Sequence, residues 1–131
     1  MRILFFLHVL FMAATLIIVI SAATTAHRKK QGWFVLHRKL AFSGVVTALV
    51  AATAEFTFKT VLHYPHFQSP HAIGGLITLA LLIITASTGV LIAKNPKNLR
   101  PIHITLGRIT SIAVIFTALM GIVRFIELSR K

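Results

Sequence analysis

The chain contains no cysteine, which removes disulfides, thiolate metal sites, iron–sulfur clusters and thioether-attached haem from consideration. Acidic residues are nearly as scarce, with two Asp+Glu against 14 Lys+Arg and a formal charge of +12. Charged residues make up 12% and hydrophobic residues 56% of 131 positions, and mean hydropathy is +0.87. A soluble domain of this length covers one core with a surface that is roughly 25–35% charged, which this composition cannot supply. The class is therefore integral membrane protein. In a soluble protein the basic balance would suit nucleic acid. Here most of the cations fall in short clusters between long apolar runs, where they set topology and meet lipid headgroups, so lipid is the expected partner and nucleic acid is not.

Four apolar segments, at about 3–26, 33–58, 70–93 and 101–126, each reach the ~20 residues that cross a ~30 Å hydrocarbon layer as a helix. Pro70 and Pro101 suit first helical positions, where the missing N–H costs nothing. Residues 27–32 and 94–100 read as basic turns, and 59–69 as a longer link carrying His63 and His66. Short links make successive helices antiparallel neighbours, so the fold class is all-α, an up-down four-helix membrane bundle in a single domain. Residues 1–26 also resemble a secretory signal, but the apolar run from Ile3 to Ile20 exceeds the ~7–15-residue core of such signals, and Arg28, Lys29 and Lys30 follow it. It is read as a retained span. One side of the membrane holds Arg28, Lys29, Lys30, Arg38, Lys39, Lys94, Lys97, Arg100 and Arg108; the other holds Arg2, Lys59, Arg124, Arg130 and Lys131. The positive-inside rule then places both termini outside the cytoplasm, and the expected location is a bacterial or archaeal cytoplasmic membrane.

Each helix carries one histidine near its start: His8, His37, His71 and His103. Because the helices alternate in direction, His8 and His71 share one side and His37 and His103 the other. Each pair belongs to diagonal helices and spans the bundle interior, the arrangement that holds a flat macrocycle between two imidazoles. The sequence thus offers two haem b sites with these four histidines as axial iron ligands. Helix three reads His71-x3-Gly75-x13-Gly89 and helix four His103-x3-Gly107-x13-Gly121, which puts each histidine and both its glycines on one face. Gly75 and Gly107 would let the ring edge approach the backbone. Gly89 and Gly121, roughly 27 Å from the histidine, would make room for the other haem. Gly44, two turns below His37, is a weaker copy. Depth counts put the irons roughly 20 Å apart through helix one and nearer 30 Å through helix three.

A lone intramembrane histidine is often only a hydrogen-bonding group, and spaced glycines are often packing notches; the register of all four histidines favours ligation. Zinc at His8, His63, His66 and His71 lacks a carboxylate. Arg38, Lys39 and Arg108 read equally as topological signals or as partners of haem propionates. Glu55 reads as a solvated helix end, with a proton relay as the alternative.

The stretch His71-Ala-Ile-Gly-Gly-Leu-Ile after His63-Tyr-Pro-His66-Phe-Gln-Ser-Pro, with His103-Ile-Thr-Leu-Gly-Arg108, resembles the cytochrome b561 superfamily across essentially all four helices. The resemblance implies a di-haem core that passes electrons across a membrane, with His8 paired to His71 and His37 to His103. Eukaryotic members add a flanking helix at each end; no ascorbate site is carried over.

The resulting expectation is a minimal di-haem cytochrome linking a quinol or other small reductant to a redox partner, with a homodimer compatible with the sequence. An anchor subunit bound to other redox subunits and a haemless transporter are the rival classes. Two non-covalent haems per chain are expected: acid–acetone extraction should strip all haem from the polypeptide, and a haem-to-chain ratio near one would contradict the count.

Overall fold

The computed structural model describes residues 2–92 and 94–130, in four helices: α1 (Arg2–Arg28), α2 (Trp33–Val61), α3 (Pro70–Leu91) and α4 (Pro96–Ser129). Ala93, expected to end the third helix, and Lys131, counted among the cations of one side, lie outside the described residues. All four helices are long and apolar enough to cross a membrane. Ile17, Phe42, Val90 and Ile112 are 66–73% exposed, an outward apolar surface that is at rest in lipid and unstable in water. The chain is a four-helix membrane bundle.

Packing is closest within the antiparallel pairs α1–α2 and α3–α4; α1 also meets α4 and α2 meets α3, while the backbones of α1 and α3, and of α2 and α4, do not meet. These last are the diagonals. The link between α2 and α3 lies at one end, called here the link end, and both tight turns at the other, the basic end.

Helix boundaries follow local chemistry. Pro70 is the first residue of α3, and the Ser69 hydroxyl accepts the Ala72 N–H at 3.2 Å, a standard cap. The start expected at Pro101 is displaced. α4 begins at Pro96 and Pro101 lies inside it, because Pro96 already fills the first-residue role. Pro101 has no N–H for the Lys97 carbonyl, but this is the headgroup level, where water can serve that oxygen. α1 and α2 run two or three residues beyond expectation for a related reason, since polar side chains are tolerated in a helix that has left the hydrocarbon. The turn between them uses positive φ at Lys29 (47°) and Gly32 (73°).

The middle of the bundle is built from small side chains. Val19, Ala48, Leu82 and Val114, one from each helix, are 8, 5, 7 and 1% exposed. Seven residues after each helix-start histidine stand Thr15, Gly44, Thr78 and Thr110, and the three threonines are at most 3% exposed. The Thr15 hydroxyl lies 2.9 Å from that of Thr47, and Thr110 pairs with Thr85 and Thr78 with Thr117, each at 2.8 Å. Such bonds tie helices together where no apolar driving force exists between them, at about 0.6 kcal/mol each on average. Gly44 meets Val19 and Ile18 of α1, with a Cβ position 3.2 Å from Val19 Cγ2. It is a seat for α1, at a distance from either histidine pair. Gly44→Leu is expected to lower stability by about 1–3 kcal/mol through overpacking, read as a lower midpoint in thermal unfolding in detergent.

Candidate functional site

Four half-buried imidazoles form two sites. At the link end the ring centroids of His8 and His71 are 6.1 Å apart with planes crossed at 80°; at the basic end those of His37 and His103 are 6.1 Å apart at 81°. Each ring is tethered to the helix antiparallel to its own. His8 Nδ1 donates to the Ala51 carbonyl (3.0 Å), His37 Nδ1 to Ala22 (3.0 Å), His71 Nδ1 to Thr117 (3.2 Å) and His103 Nδ1 to Thr85 (3.0 Å). A carbonyl can only accept, so the proton sits on Nδ1 and the Nε2 lone pair is left for a ligand.

The accepting carbonyls share one register. Each lies fourteen residues beyond its own helix's histidine: Ala22 after His8, Ala51 after His37, Thr85 after His71 and Thr117 after His103. At 1.5 Å per residue the two levels are about 21 Å apart on all four helices. Gly89 stands one turn beyond Thr85, and the His103 ring lies against both, so a count through Gly89 comes out longer.

Both distal glycines have an unexpected neighbour. A Cβ on Gly121 would lie 2.9 Å from His71 Cε1, and one on Gly89 would lie 3.0 Å from His103 Cε1. The space these glycines leave open is taken by an imidazole from the adjacent helix. Gly75 and Gly107 are loosely surrounded, with a Cβ position 4.0 Å from Thr117 Cγ2 and Thr85 Cγ2 respectively. They let α3 and α4 approach beside the accepting threonines.

Arg38, Lys39 and Arg108 are exposed, and no hydrogen bond or ion pair joins them to His37 or His103. Trp33 does reach the basic-end site, its ring 6.3 Å from that of His37. At the link end Glu55 forms an ion pair with Lys59 at 3.4 Å, and its second carboxylate oxygen is buried without a partner. Lys59 also donates to the His66 carbonyl (3.2 Å), and the His66 ring stacks on Phe56 at 4.2 Å. His66 therefore fastens the link to α2. A groove of about 510 Å³ opens between the start of α3 and α4, with His71, Met120 and Arg124 in its walls.

The acceptor carbonyls and the threonine layer are what sequence reasoning missed. A signal was present: His71-Thr78-Thr85 and His103-Thr110-Thr117 recur in steps of seven, two helical turns, and so mark one face.

The pairs can be tested against haem. Iron between two imidazoles, with metal–nitrogen bonds of about 2.0–2.1 Å and about 1.1 Å from nitrogen to centroid on each side, separates the centroids by about 6.2–6.4 Å. Both pairs fit, and both present unprotonated nitrogens from diagonal helices.

Residues 5–128 match the family model described as eukaryotic cytochrome b561. The chain belongs to the cytochrome b561 family, and with it to the haem b membrane proteins of electron transport. Comparison with curated proteins and with solved structures gives no significant match. The family description is of eukaryotic proteins, so the expectation of a bacterial or archaeal membrane is unsupported; a four-span hydropathy pattern suits any bilayer of ordinary thickness and carries no mark of origin.

Replacing Gly89 by Leu is expected to disturb the basic-end histidine pair, through His103, and to spare the link-end pair, whereas Gly121→Leu should do the reverse. Visible spectra of the two variants would check this, and identical changes in both would contradict the assignment.

Proposed function

We propose that the protein is a di-haem transmembrane electron carrier, with one haem b between His8 and His71 and a second between His37 and His103. The observation that carries this reading is the 6.1 Å centroid separation found at both pairs, with every Nδ1 committed to a carbonyl. When bound, haem supplies the one-electron iron couple, and the protein tunes it through ligation and burial.

The chain's own residues have separable tasks. Histidine Nε2 atoms ligate; the Ala22, Ala51, Thr85 and Thr117 carbonyls orient the rings and raise their basicity. Gly89 and Gly121 admit the rings of His103 and His71 to the helix surface. Thr15, Thr78 and Thr110 hold the helices together between the levels. The levels lie about 21 Å apart, so each site is near one membrane face and exchange with a different partner at each end follows.

At the link end the groove beside His71, apolar along α4 and polar at Gln68, Ser69 and Arg124, suits a quinol or similar small redox molecule. The basic end faces the cytoplasm by the positive-inside rule, with both termini on the opposite side.

His37→Ala or His103→Ala should lower haem content to about half and leave the link-end haem bound, since no ligand is shared. Loss of both haems from a folded protein would contradict the pairing. In sealed vesicles holding an impermeant reductant, an impermeant oxidant outside should be reduced; electrons that fail to cross would reduce the molecule to a one-sided relay.

A further inference from the structure

The basic end cannot neutralise itself. Its cations include Arg28, Lys29, Lys30, Lys94 and Lys97, yet the chain has only two acids, and both are paired at the link end, Glu55 with Lys59 and Glu127 with Arg124. Counter-anions must come from outside the chain. A cavity of about 380 Å³ lies where α1 ends and α2 begins, and Arg28 and Lys30 line it together with the hydroxyl-bearing Thr25, the amide of Gln31 and the indole of Trp33.

The lining changes character with depth. Arg28 ends α1 and Lys30 and Gln31 belong to the turn after it, all at the headgroup level, whereas Ile20 and Leu36 of the same lining lie further along their helices toward the hydrocarbon. Ile20 is two turns before Arg28, about 12 Å deeper. Trp33 sits between the two zones, the usual station of an interfacial indole. A phosphate with donors around it at one end and an apolar wall at the other is the outline of a phospholipid headgroup and its first acyl carbons.

We propose that this cavity binds the phosphate of an anionic phospholipid, held by Arg28 and Lys30 with Thr25 and Gln31 as hydrogen-bond donors, its acyl chain lying along Ile20 and Leu36. A basic recess between membrane helices is a favourable setting for such a headgroup. A soluble phosphate would use the cations and leave the apolar wall idle, which is why the lipid is the ligand assigned. The proposal is independent of the haem assignment.

The test uses the whole chain reconstituted in phosphatidylcholine nanodiscs with a minor fraction of phosphatidylglycerol, then extracted in mild detergent, with retained lipid counted by mass spectrometry. Wild type should retain phosphatidylglycerol in preference to phosphatidylcholine. Arg28→Gln with Lys30→Gln should weaken that retention by about tenfold or more, while Lys94→Gln with Lys97→Gln, an equal loss of charge at the entry to α4, should change it little. All four side chains are exposed, so the fold should survive, and circular dichroism checks that it does. Equal losses in the two double variants would mean diffuse attraction and would overturn the proposal, as would absence of preference in wild type. Displacement of the lipid by millimolar inorganic phosphate would do the same by revealing a free-anion site.

Discussion

The bond from each histidine Nδ1–H to a backbone carbonyl of the antiparallel neighbour is the constraint on which the rest of this bundle depends. In lipid an imidazole N–H has no water to turn to, and leaving it unpaired costs several kcal/mol on the scale of buried polar groups. A carbonyl already engaged in its helix still has a second lone pair to offer. Using it fixes three things together: the tautomer of the ring, the direction in which Nε2 is free, and the sliding register of two helices. Because the same offset recurs on α1–α2 and α3–α4, two imidazole levels result, and the diagonal partner arrives at each from the other helix pair.

That register explains the choice of side chains elsewhere. An imidazole can reach a carbonyl on the next helix only if the backbones come close, which requires Gly121 beside His71 and Gly89 beside His103. Between the levels the helices are clasped by threonine pairs and small apolar residues, and Val114, Thr15 and Thr117 are the largest side chains that are fully buried. α1–α2 reaches the same register with Ala22, Ala51 and Gly44, so the two halves of the bundle solve one geometric problem with different residues.

The two ends are chemically unlike. At the link end, both acids are paired and the connection is clamped by Lys59 and by the stack of His66 on Phe56. The basic end has short turns and uncompensated cations. The bundle thereby presents a structured, partly neutralised surface at one end and a positive field at the other, which biases the charge of whatever approaches.

Much of this was legible in the sequence. Hydropathy determined four spans, since nothing else buries so many apolar residues with so few charges, and alternation of direction placed His8 with His71 and His37 with His103. The family resemblance on His71 and His103 pointed to the family that the match to residues 5–128 then established. The glycine register was visible, but its occupant was not. Spacing along one helix says which residues share a face, and only the packing of α3 on α4 decided that an imidazole fills that space. The same holds for Gly44, which the packing sets against Val19, and for Pro101, which lies within α4 because Pro96 starts it. The carbonyls that orient the rings belong to Ala22, Ala51, Thr85 and Thr117, and any residue type carries a carbonyl. Their selection rests wholly on which backbones meet, so tertiary structure alone decided it.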